Sequence, residues 1–164
     1  MANKAIFLDR DGVINRLELG KYVLSWPEFE FLEGAIEAIG ELSGAGYQIY
    51  IITNQSPIGR GMLTEEGLAV IHNNMIFEIE QGGGIVEEVF HCPHAPEDKC
   101  KCRKPETGLF DRVNEKYDID YANSWFVGDF ESDRQVAEKV GLKFVLAKGP
   151  GGLKRAADKI IAES

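Results

Sequence analysis

The sequence predicts an α/β fold of three layers, in which a mostly parallel central sheet lies between helices. Two observations predict it. Short apolar runs rich in β-branched residues alternate along the chain with segments whose apolar residues recur at helical spacing. Parallel strands need crossover connections, and helices supply them while covering both faces of the sheet. A chain of 164 residues, 44% of them hydrophobic, can bury one such core, so we expect residues 1–164 to form a single domain.

The first half of the chain contains two strands and two helices in alternation. The run KAIFLD at residues 4–9 predicts a short buried strand. A helix is predicted at residues 33–46, where apolar side chains recur at helical spacing until glycines end the segment. The run YQIYIIT at residues 47–53 predicts the second strand. The next helix is expected at residues 64–81, with Thr64 as its N-cap.

The second half continues the same alternation. Three further strands are predicted at residues 84–92, 124–129 and 143–147, and three further helices at residues 106–118, 132–141 and 153–163. The segment GPGG at residues 149–152 reads as a turn before the last helix. No internal repeat and no linker long enough to separate two domains is present in the sequence, which supports one domain.

Charge and composition narrow the class of function. The net charge of −9, from 18 basic and 27 acidic residues, argues against nucleic acid as the main partner, because binding a polyanion needs a basic surface. A small phosphorylated ligand needs only a local positive pocket. No apolar run approaches the roughly 18 residues that span a bilayer, and the N-terminus lacks the apolar stretch of a secretory signal. We therefore expect a cytoplasmic monomer with no membrane partner.

Polar side chains follow three of the predicted strands at the point where each strand ends. Ligands of such sheets bind outside the carboxyl ends of the strands, so we expect these side chains to meet at one edge. The residues are Asp9 and Asp11 after the first strand, Thr53, Asn54, Gln55 and Ser56 after the second, and Asp129 after the fourth.

Taken one at a time, these residues have simpler explanations. Asp9 and Asp11 suit a solvated turn, Asp129 suits the N-cap of the helix that follows it, and Thr53 suits a turn at a strand end. Three carboxylates that converge would repel one another unless a cation lies between them. Mg²⁺ is the expected cation because it prefers oxygen ligands, and such sites commonly handle phosphate.

Two aspartates at this spacing can divide the work of phosphoryl transfer. A carboxylate can attack phosphorus and form an aspartyl-phosphate, and a second carboxyl group can protonate the leaving oxygen and later deprotonate water. We expect Asp9 to be the nucleophile and Asp11 the acid and base. Lys104, next to Arg103 in the segment CKCRKP, would neutralise charge on the phosphoryl oxygens together with Mg²⁺.

The three cysteines of the chain lie within eleven residues, together with a histidine. Cys92, His94, Cys100 and Cys102 provide four ligands, enough for a closed tetrahedral zinc site. Free thiols beside a surface histidine are the alternative. A closed site has no position for water, so we expect a structural Zn²⁺ that holds the loop presenting Arg103 and Lys104. His91 is not expected to be a ligand, and His72, in mid-helix, is expected to be structural.

The segment at residues 16–31 has no regular period and follows the first pair of aspartates. Because it is expected to lie over the strand ends, it could shape the pocket, with Lys21 and Tyr22 as candidate contacts. Its three large aromatic side chains, Trp26, Phe29 and Phe31, are expected to pack over the sheet instead.

Four segments in this order, FLDRDGVIN, IITNQS, CRKP and FVGDFESD, resemble the motifs of the haloacid dehalogenase (HAD) superfamily. Together they extend over nearly the whole chain. The segments TNQSPIGRG and CPHAPEDKCKCRKP are similar to those of its histidinol-phosphatase and heptose-bisphosphatase branch, whose members have a zinc loop and no large cap domain. The resemblance implies a HAD-like Rossmannoid fold and a Mg²⁺-dependent hydrolase of a small sugar or polyol phosphate.

The resemblance also implies roles for individual residues. Mg²⁺ would bind the carboxylates of Asp9 and Asp129 and the backbone carbonyl of Asp11. Thr53, Asn54 and Lys104 would hold the transferring phosphoryl group, with Gln55 and Ser56 beside them, and Arg103 would contribute to substrate recognition.

Two positions depart from the pattern of this branch. Pro57 stands where a glycine is usual, and Phe130 stands where the heptose-bisphosphatases often have a substrate-binding lysine.

A heptose 1,7-bisphosphate is the first expected substrate and histidinol phosphate the second. A catalytically silent scaffold is disfavoured because Asp9, Asp11 and Lys104 are all present.

Overall fold

The computed structural model describes residues 2–164 and contains every strand and helix that the sequence predicts. The strands are β1 (Ala5–Leu8), β2 (Gln48–Asn54), β3 (Val86–Cys92), β4 (Trp125–Gly128) and β5 (Lys143–Leu146). The helices are α1 (Ala35–Gly44), α2 (Ser56–Gly59), α3 (Glu65–Gln81), α4 (Gly108–Lys116), α5 (Glu131–Val140) and α6 (Gly152–Ala162). The α/β fold class is confirmed.

All five strands are parallel, in the order β3-β2-β1-β4-β5. Ile6 in β1 pairs with Ile49 in β2 on one side and with Trp125 in β4 on the other. From β1 the chain builds the sheet outward through β2 to β3, and then returns to the opposite side of β1 to form β4. The direction of winding therefore reverses between β1 and β4, and ligands of open α/β sheets bind at such a point.

Apolar side chains cover the sheet on both faces. One cluster joins Ile6 and Leu8 of β1 to residues of α1, α3 and α6, and the other joins Phe7 of β1 to residues of α4 and α5. Because successive side chains of a strand point to opposite faces, β1 contributes to both clusters and all four of its residues are buried. This burial fixes the strand whose carboxyl end carries Asp9.

Local interactions at the helix starts agree with the sequence in one case and correct it in another. Thr64 caps α3 as predicted, since its hydroxyl oxygen accepts a 3.0 Å hydrogen bond from the backbone nitrogen of Gly67. The alternative that Asp129 caps α5 is wrong. Phe130 occupies the N-cap, and the Asp133 carboxylate accepts hydrogen bonds from the backbone nitrogens of Asp129 (3.2 Å) and Phe130 (3.3 Å). The Asp129 side chain is therefore available for another role.

The short helix α2 is the element that the sequence analysis did not predict. Four residues give too few apolar positions to show a helical period. Pro57 lies in its first turn, where a backbone N–H has no partner within the helix, so the proline is accommodated without loss of a helical hydrogen bond. Across residues 2–164, every helix is too short or too polar to cross a membrane.

Candidate active site

The structure places most of the predicted strand-end residues around one cavity of about 260 Å³, whereas Asp129 lines a larger cavity of about 800 Å³ beside it and Thr53 is fully buried. Asp9 follows β1, Asn54 ends β2, and Asp133 lies in the first turn of α5 after β4. Lys104 and Arg103 enter from the loop between β3 and α4 and line the same cavity. The convergence that the sequence predicts is therefore present.

Asp9 is almost completely buried at the end of β1. Its Oδ1 atom accepts a 2.9 Å hydrogen bond from the Nζ atom of Lys104 and a 2.9 Å hydrogen bond from the backbone nitrogen of Arg10. Burial raises the pKa of the Asp9 carboxyl well above its usual value, although the Lys104 charge opposes the change, and the nearby Asp133 and Asp11 carboxylates add to it. The carboxylate thus needs positive charge beside it to stay ionised.

Lys104 supplies part of that charge. Its Nζ atom donates hydrogen bonds to Asp9 Oδ1 and to the carbonyl oxygen of Ile52, both at 2.9 Å, and forms an ion pair with Asp133 Oδ1 at 2.8 Å. Burial lowers the pKa of Lys104, but the two carboxylates outweigh burial and raise the pKa above its ordinary value. Asn54 fixes the backbone at Lys104, because its Oδ1 accepts a 3.0 Å hydrogen bond from the backbone nitrogen of Lys104.

The Asp11 carboxylate is held by hydrogen bonds from three side chains. Oδ1 accepts hydrogen bonds from Arg10 Nη2 (2.7 Å), Arg10 Nε (3.2 Å) and Asn15 Nδ2 (3.0 Å), and Oδ2 accepts one from Gln55 Nε2 (2.9 Å). Burial raises the pKa of Asp11, but the Arg10 charge and these hydrogen bonds outweigh burial and lower the pKa below its ordinary value. Asp11 therefore has a fixed orientation in the structure.

Asp129 lies beside Gly12, in the turn that follows β1. A Cβ atom at position 12 would collide with the Asp129 carboxylate, and Gly12 has a φ of +86°, so glycine is required there on both counts. The pKa of Asp129 is raised to about 6, mainly by burial and to a smaller extent by the negative charge of Asp133. Among residues 2–164, no donor reaches the buried Oδ1 of Asp129.

These carboxylates fit a divalent cation. One oxygen from each of Asp9, Asp129 and Asp133 lies within 4.8 Å of the others. Crowded, buried carboxylates with an unpartnered oxygen match the oxygen donors that Mg²⁺ takes up. Asp133 binds Lys104 through Oδ1 and the start of α5 through Oδ2, whereas Asp9 binds Lys104 through Oδ1 alone, so Asp9 and Asp129 are the carboxylates with an oxygen left for an ion.

The other predicted residues occupy distinct positions around the cavity. Thr53 is fully buried, and its hydroxyl oxygen accepts a 3.0 Å hydrogen bond from Gln55 Nε2, the atom that also binds Asp11. Ser56 lies 3.4 Å from the Tyr22 hydroxyl, at the cavity wall. Arg103 lines the cavity, and its Nη1 atom is buried without a hydrogen-bond partner among the described residues.

The segment at residues 16–31 contributes to the site through Tyr22 but not through Lys21. Lys21 pairs with Glu18 at 2.7 Å and is exposed, whereas Tyr22 lines the cavity. The aromatic rings of Trp26, Phe29 and Phe31 pack on one another, with centroids 5.0–6.3 Å apart, and they contribute to the apolar cluster on one face of the sheet, as predicted. A second, larger cavity of about 800 Å³ adjoins the first and shares Leu17 and Phe130 with it.

Arg10 and Asp133 are site residues to which the sequence assigned no role, and His72, which was expected to be structural, contacts Arg10. Arg10 is fully buried, and its Nη1 lies 3.1 Å from Nε2 of His72 on α3. An arginine between two aspartates is ordinarily a solvated residue, so its burial has no local signal. Asp133 does have one, since it lies one helical turn after the strand-end residue Asp129.

The predicted zinc ligands also converge. The shortest distances between ligand atoms of Cys92, His94, Cys100 and Cys102 range from 3.0 to 3.7 Å. A tetrahedral ion with metal–sulfur bonds of about 2.3 Å has sulfur–sulfur edges of roughly 3.8 Å. All three cysteines are free rather than disulfide-bonded, and the set fits Zn²⁺. His91 lies outside the cluster, as predicted, with its Nε2 2.8 Å from Glu65.

The cluster is coupled to the active-site loop. The backbone nitrogen of Arg103 donates a 3.3 Å hydrogen bond to the sulfur of Cys100. Arg60, which follows α2, pairs with Glu97 of the same loop at 3.0 Å. The loop that carries Arg103 and Lys104 is therefore anchored next to the cavity.

Comparisons with known proteins identify the family of the chain. Residues 101–160 match the family model described as HAD-hydrolase-like. D-glycero-beta-D-manno-heptose-1,7-bisphosphate 7-phosphatase of Pseudomonas aeruginosa is 38% identical over 154 residues, which is 94% of this chain and 86% of that protein. The protein of the same name from Vibrio cholerae is 39% identical over 149 residues, 87% of this chain and 79% of that protein.

A solved structure extends the similarity to three dimensions. The crystal structure of D,D-heptose 1,7-bisphosphate phosphatase from B. bronchiseptica, complexed with magnesium and phosphate, superimposes with a TM-score of 0.90 at 34% sequence identity. The match covers 98% of this chain and 99% of that one.

Proposed function

Because the chain belongs to the HAD-like hydrolases, in the family of the D-glycero-D-manno-heptose-1,7-bisphosphate 7-phosphatases, we propose that it removes the 7-phosphate of that heptose bisphosphate. It is a phosphatase, and the arrangement that best supports the proposed mechanism is the buried contact between Lys104 and Asp9 at the end of β1. In this arrangement the strand-end carboxylate is the nucleophile, and the buried, charged lysine supplies positive charge for the phosphoryl oxygens.

In the first step of the proposed mechanism, Asp9 attacks phosphorus. The backbone nitrogen of Arg10 and Nζ of Lys104 both donate hydrogen bonds to Oδ1 of this carboxylate, which holds it in one orientation while one of its two oxygens attacks. The new oxygen–phosphorus bond forms an aspartyl-phosphate as the bond from phosphorus to the sugar oxygen breaks. The pKa of Asp11 is lowered in the free site, and the negative charge of the bound phosphate raises it, so that Asp11 takes up the proton that it donates to the departing oxygen.

In the second step, water attacks the phosphorus of the aspartyl-phosphate. Asp11, now ionised, accepts a proton from the water, and the Asp9 oxygen–phosphorus bond breaks to release inorganic phosphate. Arg10, Asn15 and Gln55 hold the Asp11 carboxylate in one orientation for both proton transfers. This shared role explains why the two aspartates lie one residue apart.

The remaining residues around the cavity bind the phosphoryl group and the substrate. Lys104 is already placed beside Asp9, and Arg103 has a buried donor with no hydrogen-bond partner among residues 2–164, which suits an anionic oxygen. Asn54 acts partly through its hydrogen bond to the Lys104 backbone. Thr53 and Gln55 act through their chain of hydrogen bonds to Asp11, and Ser56 lies at the cavity wall.

Mg²⁺ is the proposed cofactor of the site, held by the carboxylates of Asp9 and Asp129 and the backbone carbonyl of Asp11. When bound, it supplies positive charge that offsets the repulsion between these groups and the charge on phosphate. Zn²⁺, held by Cys92, His94, Cys100 and Cys102, is proposed as a structural ion that stabilises the loop presenting Arg103 and Lys104.

We extend the proposal to the organisation of the chain. Residues 1–164 act as one domain and as a monomer, in the cytoplasm. A cluster of cysteines that fits zinc, rather than disulfide bonds, agrees with a reducing compartment. Size-exclusion chromatography with light scattering tests the monomer, and a mass of twice 18.2 kDa would contradict it.

Phosphate release in the presence of Mg²⁺ tests the substrate. The measurement compares kcat/KM for heptose 1,7-bisphosphate and for histidinol phosphate, with Asp9→Asn as the inactive control. A preference for the bisphosphate supports the proposal. Histidinol phosphate is the second candidate because Phe130, half exposed at the rim of the cavity, offers an apolar contact instead of a charge. A preference for histidinol phosphate would overturn the heptose assignment.

A further inference from the structure

Arg10 is the largest fully buried side chain of the described protein, and it lies directly behind the proposed acid and base. Two of its nitrogens donate hydrogen bonds to Oδ1 of Asp11, at 2.7 and 3.2 Å. Its third nitrogen, Nη1, lies 3.1 Å from Nε2 of His72, and the ring of Phe29 lies 5.7 Å from its Cζ atom. The guanidinium group therefore connects α3 to Asp11.

The direction of the hydrogen bond between Arg10 and His72 follows from their chemistry. A guanidinium group has only donors, so Nε2 of His72 must accept, and the ring proton must lie on Nδ1. The pKa of His72 is lowered to about 3, mainly by burial and to a smaller extent by the positive charge of Arg10. The ring is therefore neutral, and Nε2 can accept a hydrogen bond. His72 is thus the hydrogen-bond partner of Nη1, the guanidinium nitrogen of Arg10 that does not contact Asp11.

We propose that His72 is a positioning residue for Asp11: it accepts a hydrogen bond from Arg10 and thereby fixes the guanidinium group that orients the Asp11 carboxylate. The inference rests on the proposed role of Asp11 as acid and base. Without an acceptor on α3, Nη1 would be a buried donor with no partner, and Arg10 would turn to find one. Such a turn would move the carboxylate that has to meet the departing sugar oxygen.

The test uses His72→Leu, which keeps much of the volume and removes the acceptor, and His72→Gln, whose Oε1 can replace Nε2. The substrate is whichever of the two phosphates above the wild type hydrolyses faster. We expect His72→Leu to lower kcat about 10- to 100-fold with KM changed less than about twofold, since a small misplacement of a catalytic group is enough for such a loss. His72→Gln should recover most of the activity. Ile79→Val, a buried substitution on the same helix, should leave kcat unchanged.

A double-mutant cycle with Asp11→Asn separates positioning from general stability. If His72 acts through Asp11, His72→Leu lowers kcat in the wild type but not in the Asp11→Asn background. An equal loss in both backgrounds, or no loss in the wild type, would overturn the inference. If Asp11→Asn itself keeps full activity, the proposed role of Asp11 fails as well.

A different pair of variants decides the question if His72→Leu does not fold. His72→Asn and His72→Gln are both polar, but the shorter asparagine cannot place an acceptor where Nε2 lies. Lower kcat for His72→Asn than for His72→Gln supports the inference, and equal kcat for the two variants would contradict it.

Discussion

The Nζ atom of Lys104 donates a 2.9 Å hydrogen bond to Oδ1 of Asp9, and both side chains are buried. The two residues are 95 positions apart in the chain, and each comes from a segment that follows a strand. Their contact places an ammonium group beside the proposed nucleophile. It also stabilises a carboxylate whose pKa burial raises.

Replacing Lys104 with methionine should abolish most of the activity and destabilise the protein. Activity should fall by at least about 100-fold, because the charge that faces the phosphoryl oxygens is removed. The free energy of unfolding should fall by roughly 3–5 kcal/mol without Mg²⁺, since Asp9 and Asp133 lose their shared counter-charge in a buried site. Phosphate release and denaturant unfolding measure the two effects. Lys101→Met, in an exposed position of the same loop, is the control and should leave both unchanged.

Asp129→Asn should separate metal binding from folding. The Mg²⁺ concentration that gives half-maximal activity should rise at least about tenfold, because one carboxylate ligand is lost. Without Mg²⁺ the variant should be at least as stable as the wild type, since it removes a buried charge beside Asp133. Thermal unfolding with and without Mg²⁺ measures the difference. Glu131→Gln, an exposed neighbour, should keep the wild-type response. An unchanged Mg²⁺ requirement in Asp129→Asn would show that this residue is not a ligand.

Much of the site could be predicted from sequence because the chemistry lies where parallel strands end. Asp9, Asn54 and Asp129 each follow an apolar run, and the rule that such ends share one edge of the sheet brought them together. The zinc ligands are predictable for a different reason, since their spacing within one short loop is itself the signal.

The supporting residues could not be predicted in the same way. Arg10 and His72 are 62 positions apart, and their contact exists only because the fold brings α3 close to the residue that follows Asp9. Burial of an arginine depends on that packing and not on its neighbours in the chain. The short helix α2 could not be predicted for a related reason, because four residues are too few to show a helical periodicity.

Removing zinc should loosen the loop that carries Lys104. We expect Cys100→Ala to lose bound zinc, to melt at lower temperature and to lose activity, although Cys100 touches none of the reacting groups. Zinc content by elemental analysis, thermal unfolding and phosphate release measure the three effects. Lys101→Ala, exposed in the same loop, should retain zinc. Full zinc content and full activity in Cys100→Ala would rule out the zinc assignment.

His72 should make the stability of the protein depend on pH in mildly acidic solution. Burial lowers the pKa of His72 to about 3 in the folded protein, whereas a histidine in an unfolded chain titrates near 6.5. Between these values the unfolded state binds more protons, so stability is fully present above about pH 6.5 and falls as the pH falls toward 3. The contribution of His72 to the free energy of unfolding changes by at most about 1.4 kcal/mol per pH unit.

Denaturant unfolding of the wild type and of His72→Gln at several pH values isolates this effect. Carboxylates and zinc ligands titrate in both proteins, so their contributions largely cancel in the difference. The wild type should lose more stability than His72→Gln between pH 6.5 and about 4.5. If the free energy of unfolding changed with pH by the same amount in the two proteins, His72 would not be held neutral by its surroundings.

The identity of the nucleophile tests the central claim most directly. Trypsin cleaves after Lys4, Arg10 and Arg16, so Asp9 and Asp11 fall on different peptides, AIFLDR and DGVINR. The enzyme is quenched during turnover with Mg²⁺ and substrate and treated with borohydride, which reduces a phosphorylated aspartate to homoserine, before digestion and mass spectrometry. We predict homoserine at position 9 in the wild type and in neither peptide of Asp9→Asn. Homoserine in DGVINR, or in neither peptide of an enzyme that releases phosphate, would contradict nucleophilic attack by Asp9.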